Sequence, residues 1–157
     1  MGYTFHIEDG VANYYELLPL YKAHYAETQE RMRACGARPS EFAPMMDNYE
    51  QAARGGWLLT YVARLDGEPV GASNVFLTND GLSGAIIAVE ESLYVLPEHR
   101  NGVGRNLLKF ILADLPGRGV ERLMLDAVTD LRAAKAWRRM GFTDFSHRMA
   151  YHFQEDR

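Results

Sequence analysis

A glycine-punctuated segment between a hydrophobic run and an amphipathic pattern constrains the fold most. The run at residues 93–96 stops at Pro97, and Gly102 and Gly104 follow shortly after. Beyond the glycines, apolar residues recur on one helical face: Val103, Leu107, Leu108, Ile111, Leu112 and Leu115. A strand, a glycine loop and a helix in this order present unpaired backbone N–H groups and a positive helix end. The segment therefore predicts a site for a phosphate-bearing ligand.

Composition favours one folded domain over residues 1–157. Of the 157 residues, 47% are hydrophobic and 24% are charged, which is typical of an ordinary globular chain. The net charge of −4 argues against a nucleic-acid partner, and no apolar stretch is long enough to cross a membrane. The N-terminus lacks the pattern of a secretion signal, and the single Cys35 cannot form an internal disulfide. We therefore expect a cytoplasmic protein.

The periodicities alternate between helix and strand along the chain. Helical patterns cover residues 13–33, with Pro19 predicting a kink or late start, and 40–54, with Ser40 as N-cap. A third helix follows the glycine loop, and Asp130 caps a short fourth that runs to Met140. Strand patterns cover residues 3–7, 57–65, 69–77, 85–96, 121–128 and 143–153. The order predicts an α+β fold, with a mixed, mostly antiparallel sheet that is flanked by helices and contains one parallel crossover.

Two motifs resemble the GNAT superfamily of acetyl-CoA-dependent N-acetyltransferases. Residues 93–105, LYVLPEHRNGVGR, are similar to the family's strand, proline and pyrophosphate loop. Residues 130–142, DLRAAKAWRRMGF, are similar to the family's helix that ends in Gly-Phe. The predicted order of elements also agrees with the GNAT fold over nearly the whole chain. The resemblance implies acetyl-CoA as co-substrate. The spacing of His24, His147 and His152 suggests no metal site.

The resemblance also implies where coenzyme A binds. Its pantetheine would enter a gap between the strand around Leu93 and the strand at 121–128, pairing with the backbone of Leu93 and Val95. Backbone amides of the loop would surround the pyrophosphate. The implied cofactor-binding residues are Leu93, Val95, Arg100, Asn101, Gly102, Val103, Gly104, Arg105, Asp130 and Trp137.

Three positions depart from the family pattern. His99 stands three residues before Gly102, where the family prefers Arg or Gln, so we expect Arg100 to take part of the phosphate role. Trp137 stands where many relatives carry a tyrosine that protonates the departing thiolate, and an indole N–H is no practical acid. Asp130 replaces a frequent Asn at the start of the same helix.

Direct attack of an amine on the acetyl thioester requires a base, because an ammonium has no lone pair. Glu91, two residues before Leu93, stands where relatives often carry an acid that faces the acceptor. Glu90 would point to the opposite face of a regular strand, but a bulge would exchange the two. Tyr94 and Tyr151 are candidates for the missing acid, although packing explains both better. A backbone N–H near Leu93 would stabilise the oxyanion.

The predicted reaction is acetyl transfer to a primary amine on a small molecule or a peptide. The region 14–54, which would enclose the acceptor, is rich in aromatic, methionine and acidic residues, which suit a cationic amine. A CoA-binding sensor without turnover is the alternative, supported by Trp137, and a scaffold is a further one that Gly102 and Gly104 argue against. Dimers are frequent in this family, so a homodimer stays open.

Overall fold

A computed structural model describes residues 2–128 and 130–153. Its contacts divide the chain into two compact units. The first comprises residues up to 24 together with 43–126, and the second comprises 25–42 together with the residues from 127 onward.

A five-stranded sheet forms the centre of the first unit. Its strands are β1 (Tyr3–Glu8), β2 (Leu58–Leu65), β3 (Glu68–Asn79), β4 (Ile86–Val95) and β5 (Val120–Met124). They lie in the order β1-β2-β3-β4-β5; β4 and β5 are parallel, and every other pair is antiparallel. The tight turn between β2 and β3 places Asp66 and Gly67 at positive φ, as a two-residue hairpin loop requires. The α+β class with one parallel crossover is confirmed.

The helices are α1 (Tyr14–Ala34), α2 (Met46–Arg54), α3 (Val103–Asp114) and α4 (Leu131–Arg139). Short 3₁₀ turns lie at Pro97–His99 and Leu115–Arg118. One face of the sheet packs on α3 through Val103, Leu107 and Ile111. The opposite face packs on the first half of α1 through Leu17 and Leu20. The strand–loop–helix segment is thus anchored by its own buried stripe.

Several predicted boundaries are wrong. Helix α1 runs through Pro19, so no late start occurs. Helix α2 begins at Met46, and Ser40 is not its N-cap, because Pro44 has no N–H to give a helix and disfavours the helical conformation of the residue before it. Strand β5 ends at Met124 rather than at Val128.

The second unit contains the remainder of α1, the connection to residue 42, helix α4 and the chain that follows it. Arg38 ties the connection to this last segment, since its side chain donates to the carbonyl of Phe153 at 2.7 Å. The predicted strand at 143–153 is wrong: the segment is irregular and almost entirely exposed. An alternating pattern forms a strand only where the backbone finds a partner strand, and the pattern itself does not supply one. No helix of the described residues could span a bilayer.

Candidate active site

The parallel pair β4–β5 separates part-way along β4. Pairing runs from Ile86 opposite Val120 to Val89 opposite Met124, where β5 ends, while β4 continues for six more residues to Val95. The other edge of β4 remains paired with β3 along this stretch. The β4 edge from residue 90 onward therefore has no β5 neighbour, and an extended ligand can add to it as a strand would.

The glycine loop lies directly after this open edge. Gly102 is the N-cap of α3 with φ of 111°, a left-handed conformation that favours glycine, and no side chain caps the helix. The first helical hydrogen bond is donated by Asn106 to the carbonyl of Gly102. The N–H groups of residues 103–105 thus have no carbonyl acceptor within the helix, because no helical turn precedes them. A Cβ on Gly104 would meet only a methyl group of Val95, at 3.5 Å, so no packing against the protein requires glycine there.

Arg100 and His99 both contact the protein itself. The Nε of Arg100 donates to the carbonyl of Val95 at 2.8 Å, and its guanidinium carbon lies 5.1 Å from the centre of the Tyr94 ring. The Nδ1 of His99 and the hydroxyl of Tyr3 are 3.0 Å apart, which ties the loop to β1. Asn101 and Arg105 are exposed. A phosphate-binding role for Arg100 stays a prediction.

The residues just before the loop differ in their surroundings. The side chains of Leu93 and Val95 pack in the core on the α3 side, so only their backbone could contact a ligand, and the carbonyl of Val95 already accepts from Arg100. The Tyr94 ring is 7% exposed and packs on the opposite side with Leu17 and Leu20 of α1. Tyr94 is thus buried in this core, and its role as a proton donor stays a prediction.

A bulge in β4 decides which way its two glutamates point. Asn74 of β3 faces Ser92, but the next residue, Val75, faces Glu90, so Glu91 is an extra residue on β4. The bulge lies where pairing with β5 has just ended. Glu91 contacts α2 and Asn74, whereas Glu90 contacts the backbone beyond β5. The two carboxylates therefore lie in different environments, although they are adjacent in sequence.

Glu91 lies among hydrogen-bonding side chains and still reaches solvent. The hydroxyl of Tyr49 in α2 donates to its carboxylate. Burial raises the pKa of Glu91 above 4.5, and the hydrogen bonds from Tyr49 and Asn74 partly offset this rise. Burial, strengthened by the adjacent carboxylate, also raises the pKa of Tyr49, so this phenol keeps its proton. Neighbouring atoms surround the Glu91 carboxylate closely enough to raise its pKa, but the residue keeps exposed surface through which an incoming amine can approach.

Glu90 is 8% exposed. Its carboxylate accepts a long hydrogen bond, 3.5 Å, from the backbone N–H of Asp126. Burial raises the pKa of Glu90 to about 7, and the negative charges of Asp126 and Glu91 add to the rise. A carboxylate with this pKa can exchange protons near neutral pH.

The remaining predicted site residues belong to the second unit. Asp130 is the N-cap of α4, as predicted: its Oδ1 accepts from the backbone of Arg132 and Ala133, and its Oδ2 pairs with Arg31 at 3.2 Å. Trp137 lies on α4 and is half-buried. Tyr151 is 82% exposed and contacts only the nearby ring of Phe153 among the described aromatic side chains.

A comparison with protein families identifies the chain. The model of the Acetyltransferase (GNAT) family matches residues 19–142, which include the open strand edge, the glycine loop and α4. The chain belongs to the GNAT acetyltransferase family. No curated protein sequence matches it.

Solved GNAT-like structures share the fold at low sequence identity. An aminoglycoside acetyltransferase from an uncultured soil metagenomic sample, in complex with sisomicin, is 16% identical, with 99% of this chain and 96% of that one covered and a TM-score of 0.72. The ribosomal-protein-alanine N-acetyltransferase of Brucella melitensis is 17% identical, with 99% and 100% covered and a TM-score of 0.67. A GCN5-related N-acetyltransferase from Ralstonia eutropha is 17% identical, with 96% and 99% covered and a TM-score of 0.72.

Two further residues of this GNAT site follow from the structure and not from the motifs. Asn74 accepts a hydrogen bond from Thr60 at 2.8 Å and bonds to Glu91, so it holds the carboxylate from the sheet side. Asn74 could have been singled out from the sequence as a polar residue within the apolar run of β3, because a buried amide needs hydrogen-bond partners. Tyr49 was visible only as one of many aromatic residues in the acceptor region. No cluster of metal-binding side chains occurs within residues 2–128 and 130–153.

Proposed function

We propose that the chain transfers an acetyl group from acetyl-CoA to a primary amine, with Glu91 as the base. The observation that carries the proposal is the bulge at Glu91, which lies where β4 loses its β5 partner and shortly before the glycine loop. Membership of the GNAT family supplies the reaction class. The acceptor and the catalytic residues are our inference.

The open strand edge and the start of α3 fit coenzyme A. The β4 edge beyond Val89 has no β5 strand beside it, which leaves room for an extended amide-bearing arm, and no side chain caps the N-terminus of α3, where a pyrophosphate would bind. No Cβ of Gly102 or Gly104 stands in front of these amides. When bound, acetyl-CoA supplies an activated acyl carbon and a thiolate leaving group.

Glu91 receives the proton that the acceptor nitrogen loses as it forms the new C–N bond. Tyr49 and Asn74 hold the carboxylate in place, and its exposure lets the amine approach. Glu90 is the second candidate, because its pKa of about 7 suits proton transfer at neutral pH, but its carboxylate is buried beside Asp126.

The glutamates are separated by comparing Glu91→Gln and Glu90→Gln with the exposed Glu68→Gln as the matched control. Thiol release from acetyl-CoA is measured with one amine at pH 6–9, so titration of the amine is common to all variants. A general base contributes roughly 10²–10⁴-fold, so we expect kcat of Glu91→Gln to fall by about 10²-fold or more. An unchanged rate in Glu91→Gln across this range would contradict the assignment, and loss of activity in Glu90→Gln alone would transfer the role to Glu90.

Binding of acetyl-CoA is tested by calorimetry on Gly104→Val. Side-chain bulk in front of the loop amides should weaken affinity at least about tenfold, which corresponds to about 1.4 kcal/mol. Gly117→Val is the control, because a Cβ there meets no atom within 4 Å and the backbone needs no left-handed conformation. Equal affinity of both variants for acetyl-CoA would contradict the assignment of the loop as the pyrophosphate site. Binding to the wild type without turnover on any amine would favour the sensor.

A further inference from the structure

A groove with a volume of about 470 Å³ lies between α2 and β3 in the first unit. Its walls include Asn48 and Gln51 on α2, Trp57 just before β2, and Phe76, Leu77 and Thr78 on β3. None of the lining side chains is ionisable. The groove therefore suits an uncharged portion of a ligand, and its carbon-rich walls favour an apolar one.

Trp57 keeps its place through a glycine beside it. The indole is 53% exposed, which is unusual for so large an apolar side chain. A Cβ on Gly55 would lie 2.5 Å from Cδ1 and 2.8 Å from Nε1 of this ring. Gly55 has φ of −75°, which any residue adopts, so glycine is required there only for space. The indole edge that bears the polar N–H is turned toward Gly55.

Two aromatic rings lie between the groove and the proposed base. Phe76 lines the groove, and its ring centre is 5.9 Å from that of Tyr49. Tyr49 in turn donates its hydroxyl hydrogen to Glu91. Glu91 and the groove are thus linked by contacting side chains, and a ligand that reaches from one to the other would run along the rings of Tyr49 and Phe76.

We propose that this groove binds the body of the acceptor and selects an arylalkylamine, an aromatic ring joined to a primary amine by a short chain. This rests on the proposed function. The cationic end is attracted by Glu91, while the ring packs against Trp57 and Phe76, for which offset or edge-to-face geometry is favourable. Asn48 and Gln51 offer hydrogen bonds to substituents on the ring.

The kinetic test compares 2-phenylethylamine with ethylamine, which has the same amino group and no ring. In Gly55→Ala the new methyl group displaces the indole, and we expect KM for 2-phenylethylamine to rise about tenfold. KM for ethylamine and the affinity for acetyl-CoA should stay unchanged. Gly117→Ala is the control, because it adds the same methyl group in open space. Equal KM changes for both amines, or none for either, would overturn the groove as the acceptor site.

A binding test without turnover separates this proposal from the proposed function. Addition of 2-phenylethylamine should quench tryptophan fluorescence in the wild type and not in Trp57→Phe, where Trp137 is the remaining indole. Quenching without acetylation of any amine would uphold the groove and overturn the acetyltransferase proposal. Acetylation of ethylamine and 2-phenylethylamine with equal KM, together with no quenching, would uphold the acetyltransferase proposal and overturn the groove as the acceptor site. Stronger competition by glucosamine than by 2-phenylethylamine would overturn the aromatic ligand class.

Discussion

Replacement of Glu90 by glutamine should stabilise the protein in a pH-dependent manner. Burial raises the pKa of Glu90 to about 7 from an ordinary value of 4.5. The folded state therefore holds a proton that the unfolded chain loses at a lower pH. Between these two values the folded state binds more protons, so stability falls as pH rises. Above about pH 7 the folded state bears the whole cost of a buried carboxylate.

The magnitude follows from the two pKa values. Each tenfold difference in proton affinity is about 1.4 kcal/mol, so the full cost is about 3 kcal/mol and is reached near pH 8. Glutamine has nearly the same shape, does not ionise, and still offers an oxygen to the Asp126 N–H. We expect Glu90→Gln to match the wild type within about 1 kcal/mol at pH 4 and to exceed it by about 3 kcal/mol at pH 8.

Urea unfolding at pH 4, 6 and 8 measures this difference, provided that the denaturant dependence stays equal in both proteins. In thermal unfolding the same effect is a rise in Tm of roughly 6–12 °C at pH 8. Glu68→Gln, at the exposed start of β3, is the matched control and should show no such trend. A difference that is equal at pH 4 and pH 8, or a less stable Glu90→Gln at pH 8, would refute a buried carboxylate with a raised pKa.

Three other predictions concern the framework of the site. Gly102→Ala forces a Cβ into the left-handed region at φ of 111° and should cost about 1–2 kcal/mol in chemical unfolding, whereas an unchanged midpoint would mean that the loop adopts another conformation. Leu107→Ala removes a fully buried side chain between α3 and the sheet and should cost about 2–5 kcal/mol, measured the same way; a cost under 1 kcal/mol would contradict the packing. Tyr3→Phe deletes the hydrogen bond to His99 and should lower the free energy of unfolding by about 0.5–1.5 kcal/mol. A double-mutant cycle of Tyr3→Phe with His99→Ala that gives no coupling energy would show that the contact contributes nothing.

The sequence by itself determined the elements whose causes are local. The end of β4 before Pro97, the glycine loop and the apolar stripe of α3 have causes within one turn of the chain, and the sequence predicted all three. Asp130 caps α4 for the same reason, since its carboxylate bonds to the backbone two and three residues ahead. The 3₁₀ turn at Pro97–His99 and the positive φ of Gly102 were not predicted. The start of α2 also has a local cause, Pro44, and could have been predicted from the sequence.

Only tertiary structure decided the features that depend on pairing. The segment 143–153 alternates like a strand but forms none, because a strand needs another backbone to pair with. The choice between Glu90 and Glu91 depends on the bulge in β4, since one extra residue exchanges the two faces of a strand with a period of two. The groove beside Trp57 joins α2 to β3, and the space for its indole comes from Gly55, whose role no local pattern indicates. The conformation of the glycine loop depends on neighbouring residues. The positions of the carboxylates and of the groove depend on the pairing of strands and the packing of helices that are distant in the chain.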